Sequence, residues 1–182
     1  MKISLGAGGV RFPGWLHVDA DAHWQPDVVA DLSQPLPFSD AYADFLQSED
    51  FIGQLTFAQA RDHLIDCHRV LKTGGVLRLL TPDLAVLVDH YQRRDPRVLE
   101  LWEREVGIPL QTRTLGELMH AALTFAGQRS FYDEETLRAL LEPAGFEVRR
   151  VSYNESDYVE LRGLDLRSPD NAISLYLDCV KR

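Results

Sequence analysis

Basic residues are the minority charge in this chain: 19 Lys and Arg stand against 28 Asp and Glu, for a net charge of −9. Such a surface repels nucleic-acid backbones and anionic membranes, which argues against both as principal partners. Cysteine is scarce too, with two residues in 182. Cys67 and Cys179 are far apart, with no CxxC pattern and no zinc-type spacing, so they are read as buried or idle thiols in a reducing compartment. His63 and His68 are five apart, off a common helix face, and no metal site is expected. No apolar run is long enough to span a membrane. The N-terminus carries one Lys and then glycines instead of the apolar core of a signal peptide, so the expected location is the cytoplasm. There are no internal repeats and no low-complexity tract.

What is present is a regular succession of short apolar runs. Strands are predicted over 2–5, 15–19, 27–30, 43–48, 75–80, 146–152 and 172–180. Helices are predicted over 56–72, with Thr56 as N-cap, and over 133–143, with Asp133 as N-cap. Short β-rich runs alternating with helical patterns describe a mostly parallel sheet covered by helices. Residues 83–130 break the alternation and look helical in pieces, over 83–92, 96–105 and 115–126.

The first run ends in a turn holding Gly6, Gly8 and Gly9, and the second ends on Asp19. Glycines let backbone approach a ligand, and a carboxylate at the tip of the next strand suits a ribose diol. A plain turn accounts for the glycines equally well. Asp21 competes with Asp19 for the ribose role; Asp19 is preferred because it directly ends the apolar run. Only about ten residues separate the first two runs, fewer than a parallel crossover with a full helix needs. That spacing disfavours a nicotinamide or flavin dinucleotide site, which requires GxGxxG opening a complete helix.

Five stretches together resemble the class I S-adenosylmethionine-dependent methyltransferases of the small bacterial type. Leu5-Gly6-Ala7-Gly8 is similar to the family's LGCG/LGAG loop. Phe12-Pro13-Gly14-Trp15-Leu16-His17-Val18-Asp19 is similar to its PGWxNVD segment. The run Asp31-Leu32-Ser33-Gln34-Pro35-Leu36-Pro37-Phe38-Ser39-Asp40 is similar to DLxxPLPFxD. Cys67-His68-Arg69-Val70-Leu71-Lys72-Thr73-Gly74-Gly75-Val76-Leu77-Arg78 resembles CxRVLKPGGxLR, with Thr73 in place of proline. Phe131-Tyr132-Asp133 through Ala144-Gly145-Phe146 resembles YDxETLxxLLxxAGF. The resemblance covers 3–82 and 117–180.

It implies one domain over 1–182, an open doubly wound α/β sheet of seven strands ordered 3-2-1-4-5-7-6, with only the last strand antiparallel. It implies S-adenosylmethionine as cofactor, held by Leu5, Gly6, Ala7, Gly8, Asp19, Asp31, Leu32, Ser48 and Glu49. The implied activity is methyl transfer to a small-molecule or glycan-type acceptor. The alternative is a catalytically inactive module or accessory subunit that binds S-adenosylmethionine or S-adenosylhomocysteine. Two departures motivate that alternative. The helices that precede the first strand in larger relatives have no counterpart here. Many relatives also read Ser-Glu-His-Val-Leu-Glu-His-Leu where this chain reads Ser48-Glu49-Asp50-Phe51-Ile52-Gly53-Gln54-Leu55.

Methyl transfer from a sulfonium needs alignment and exclusion of water, and needs a base only when the acceptor enters protonated. Asp50, His120 and Tyr132 are the candidate bases, each with a structural role as the competing reading. The insertion 83–130 is expected to cap the site with Tyr91, Trp102, Met119, His120 and Phe125. A homodimer interface is the other use for those side chains. His63 and His68 alternate with acids and are read as surface residues.

Overall fold

The computed structural model describes residues 1–124, 127–166 and 173–182. Phe125 and the first residue of the 172–180 strand lie outside these described residues. Seven strands form one sheet: β1 (Lys2–Leu5), β2 (Leu16–Asp19), β3 (Val28–Val29), β4 (Ala43–Glu49), β5 (Leu71–Pro82), β6 (Phe146–Arg150) and β7 (Ser174–Lys181). Their spatial order is β3-β2-β1-β4-β5-β7-β6. β7 runs antiparallel to both neighbours and the remaining pairs are parallel. The order and the single reversed strand agree with the sequence-based expectation.

The helices are α1 (Phe57–Val70), α2 (Leu84–Gln92), α3 (Arg97–Glu105), α4 (Leu115–Thr124) and α5 (Glu134–Leu141). Thr56 caps α1 in a reciprocal capping box with Gln59, and Asp133 caps α5 by accepting from the Thr136 N–H. Ala60, Leu64, Cys67 and Val70 of α1 and Leu137 and Leu141 of α5 enter the main core beside Leu46, Leu77 and Leu177 of the sheet. Side chains alternate between faces along a strand. Both helices therefore cover the same face, as successive right-handed crossovers in one direction require.

The opposite face holds Phe45, Val76 and Val180 under Trp15, Leu161 and Leu164. Its cover is the 10–15 turn and the connection after β6, with a short 3-10 turn at Val159–Leu161. The short first crossovers agree with this arrangement: a turn joins β1 to β2, and a 3-10 turn over Ala22–Trp24 follows β2.

Two local expectations change. The predicted strand 75–80 begins earlier, because Leu71 already pairs with Ala43. The chain then bulges over 72–75, with Gly74 at φ +79, before Val76 takes up Phe45. His63 is buried, against its surface reading: its Nδ1–H donates to the Leu32 carbonyl at 3.0 Å, and its Nε2 lies 3.4 Å from Cys67 Sγ. His63 and Cys67 share one face of α1 at i, i+4, so the periodicity carried this signal. His68 is half-buried with its ring edge-on to Phe146.

The insertion forms its own small core from Leu87, Val98, Leu99, Trp102, Leu110, Leu118 and Ala122, joined by Ile173. Trp102 is fully buried there, while Tyr91 is 41% exposed.

Candidate functional site

The site lies at the C-terminal ends of β1, β2 and β4, where open α/β sheets bind ligands. Gly6 leaves β1 at φ +67, and the N–H groups of Gly6 and Ala7 both donate to the Val18 carbonyl, at 2.9 and 3.1 Å. A side chain at Gly6 would collide with Phe51, whose Cβ lies 2.8 Å from where the new carbon would stand. Conformation and contact thus both demand glycine here.

Asp19 ends β2 with its carboxylate braced on both oxygens. The Gly8 N–H donates to Oδ2 at 2.8 Å and the Asp21 N–H to Oδ1 at 2.9 Å. Each oxygen keeps a lone pair for a further donor. Asp31 is exposed after β3 and accepts from the Ser33 N–H at 2.9 Å. Its hydrogen bonds to Ser33 hold its carboxyl below the ordinary range. Leu32 is buried beside it, anchored through its carbonyl by His63. Burial pushes the His63 imidazole down to about 4, so it stays neutral beneath this corner.

Two hollows meet at Gly6. The first, about 290 Å³, is lined by Gly6, Asp19, Ala20, Asp31, Leu32 and Ser33, with Phe51, Gln54, Leu55, Gln59 and Arg129 opposite. The second, about 170 Å³, is lined by Ser4, Gly6, Ala7, Val10, Phe12, Gln47, Glu49, Asp50 and Leu166. Its polar wall is ordered: Ser4 donates to Gln47 at 2.8 Å, and the Leu166 N–H approaches Glu49 Oε2 at 3.4 Å.

Of the residues expected to hold a cofactor, Gly6, Ala7, Asp19, Asp31, Leu32 and Glu49 line one hollow or both. Gly8 contributes through its bond to Asp19. Leu5 is buried in the core, and Ser48 is buried with its hydroxyl lacking a hydrogen-bond partner among the described residues.

The three candidate bases are not brought together. Asp50 lines the second hollow at φ +56, a left-handed conformation that costs energy in a non-glycine residue. His120 is exposed on α4 and lines neither hollow. Tyr132 is fully buried in the main core. Burial pushes its phenol upward and the neighbouring Ser130 pulls the other way.

The sequence reading missed Phe51, Gln54, Leu55, Gln59 and Arg129. The first three stand within 48–55, the stretch where the sequence departs from the text of the family it resembles. Arg129 belongs to the insertion. Among the described residues the insertion reaches the hollows through Arg129, and Tyr91, Trp102, Met119 and His120 line neither.

No family model and no curated protein matches the chain. Solved structures do. An S-adenosylmethionine-dependent methyltransferase of Archaeoglobus fulgidus superposes with a TM-score of 0.58 at 17% identity, covering 99% of this chain and 85% of that one. One from Mesorhizobium loti gives 0.58 at 15% identity, covering 99% and 90%. One from Thermotoga maritima gives 0.57 at 19% identity, covering 100% and 82%. The chain has the class I S-adenosylmethionine-dependent methyltransferase fold. At these identities the likeness establishes the methyltransferase fold alone, and the chemistry rests on the residues.

Those residues fit the cofactor. A methyltransferase of this class needs close backbone approach, and Gly6 offers it between two hollows. It needs acceptors for a ribose diol, and braced Asp19 offers two. It needs a polar end for an ammonium, and Glu49 and Asp50 provide carboxylates. No helix among the described residues is long and apolar enough to cross a membrane.

Proposed function

We propose that this protein is an S-adenosylmethionine-dependent methyltransferase acting on a small-molecule acceptor. The observation that carries the reading is the meeting of two hollows on Gly6, one holding Asp19 and the other Glu49 and Asp50. When bound, the cofactor supplies a methyl group on a sulfonium. Asp19 accepts hydrogen bonds from both ribose hydroxyls. Asp31 accepts from the adenine amine, and the Leu32 N–H donates to a ring nitrogen. Glu49 and Asp50 face the α-ammonium of the amino-acid end.

The protein's main task is alignment and exclusion of water. Leu166 and Phe12 wall the second hollow, and Leu55 and Phe51 wall the first. The acidic net charge of −9 favours a small molecule or a glycan-type precursor over a nucleic acid.

Calorimetry with S-adenosylhomocysteine tests the reading. Asp19→Asn should weaken binding by about 1.5–3 kcal/mol, the range for a hydrogen bond to a charged group. Asp21→Ala should leave binding unchanged, because the Asp21 side chain caps the 22–24 turn and its brace on Asp19 is a backbone N–H that alanine keeps. Binding of NAD in place of S-adenosylhomocysteine would overturn the reading. Tight S-adenosylhomocysteine binding without methyl transfer to any acceptor of a broad panel would instead favour the inactive-module alternative.

A further inference from the structure

His63 stands behind the wall of the first hollow without lining it. It is buried on α1 and touches two residues of that wall. Its Nδ1 lies 3.0 Å from the Leu32 carbonyl, and its ring meets the Phe51 ring edge-on at 5.3 Å. A carbonyl only accepts, so the single proton of the neutral imidazole sits on Nδ1. Nε2 is then an acceptor, and the Cys67 thiol lies 3.4 Å away to donate to it. Burial pushes that thiol up and so keeps its proton in place.

The Leu32 carbonyl belongs to the same planar peptide as the Ser33 N–H, and the two point in opposite directions. That N–H donates to Asp31 Oδ1 at 2.9 Å. One rigid group is thus clamped at both ends, by a buried imidazole at its oxygen and an exposed carboxylate at its nitrogen. Hydrogen bonds in series strengthen one another, so a donor on the carbonyl makes the N–H a better donor to Asp31. The chain of bonds runs from Cys67 through His63 and the peptide to Asp31. It begins in the main core and ends at a carboxylate in the hollow.

We propose that His63 is a positioning residue for the cofactor's base. Through the Leu32–Ser33 peptide it sets the Asp31 carboxylate, and with it the preference for a purine that carries an exocyclic amine. This rests on the reading under Proposed function, in which Asp31 accepts from the adenine amine. An exposed aspartate left to itself samples several rotamers, and each one turned from the amine weakens that bond. The Ser33 hydroxyl also reaches Asp31, but it hangs on the same residue whose peptide the imidazole fixes.

The test titrates two ligands into the full chain by calorimetry: S-adenosylhomocysteine, and its 6-deamino analogue with hydrogen in place of the purine's amine. The parent should prefer S-adenosylhomocysteine by roughly tenfold or more, as expected for a hydrogen bond to a charged group. Asp31→Ala should lose that preference, and His63→Leu should lose most of it. His63→Asn puts an amide N–H near the place of Nδ1–H and should restore it. One readout needs no variant. Nitrogen NMR of the histidine-labelled parent should show Nδ1 protonated and Nε2 bare.

A merely structural His63 would weaken both ligands alike in His63→Leu and leave the preference intact, which would overturn the proposal. So would a preference that survives Asp31→Ala, a preference that His63→Asn fails to restore, or a proton found on Nε2. A parent that binds both ligands equally also overturns it, because Asp31 then holds no amine, while the cofactor reading still stands on Asp19. A parent that binds neither ligand ends both.

Discussion

One face of the sheet buries Leu46, Leu77 and Leu177 beneath α1 and α5, whereas the other buries Gln47, Arg78 and Asp178 beneath loop backbone. The difference follows from what each cover brings with it. A helix satisfies its own peptide groups, so it can meet the sheet with side chains alone, and those can all be apolar. A loop brings unpaired carbonyls and N–H groups that need partners once buried.

Arg78 supplies those partners. It is fully buried in β5, and each of its five N–H donors is used. They reach Asp165 twice, Asp178, and the carbonyls of Ser152 and Glu155. Asp165 also takes the Asn154 N–H, and Asp178 takes the Ser156 hydroxyl at 2.6 Å. Asp165 precedes Leu166, which walls the second hollow against Glu49. The polar face is therefore tied to the site by its chemistry, and the apolar face supports the site through packing and through His63 beneath Leu32.

Changes on each face sharpen the contrast. Arg78→Ala should cost the most, about 3–5 kcal/mol, because Asp165 and Asp178 would be left buried without a counter-charge. Urea denaturation measures it, and a loss below about 1 kcal/mol would break the comparison by showing that the loop holds without its partner. Leu64→Ala on the apolar face should cost about 2–5 kcal/mol through lost burial and a residual cavity. It should leave S-adenosylhomocysteine affinity close to the parent's, since Leu64 lines neither hollow.

The smallest expected effect concerns acid. Burial holds His63 down to about 4, below its ordinary value of 6.5. The unfolded chain therefore takes up a proton that the folded chain refuses. Stability from this group is complete above about pH 6.5 and is lost as pH falls toward 4, by up to about 3 kcal/mol. His63→Gln should flatten that part of the stability profile, and an unchanged slope between these pH values would contradict the assignment.

The two faces also differ in how far the sequence disclosed them. On the apolar face, period and caps were enough: Ala60, Leu64 and Cys67 mark the buried stripe of α1, and Thr56 and Asp133 mark the helix starts. His63 escaped because residue type was weighed above its position on that stripe. On the polar face little was legible. Arg78, Asp165 and Asp178 are 87 and 100 positions apart in the chain, and no local period links them. The sheet order came from the resemblance of ordered motifs, and the spacing alone showed only that the first crossovers were short. At the site, Asp19 and Gly6 announced themselves at a strand end and in a turn. Phe51 and Arg129 did not, because what places them is contact across the cleft.

In the proposed function one cofactor spans both hollows across Gly6. A crystal structure of the protein with S-adenosylhomocysteine tests it most directly. The ribose diol is expected on Asp19, the adenine between Leu32 and Leu55, and the amino-acid end beside Glu49 and Asp50. Density for the ligand in only one hollow, with the ribose away from Asp19, would contradict it.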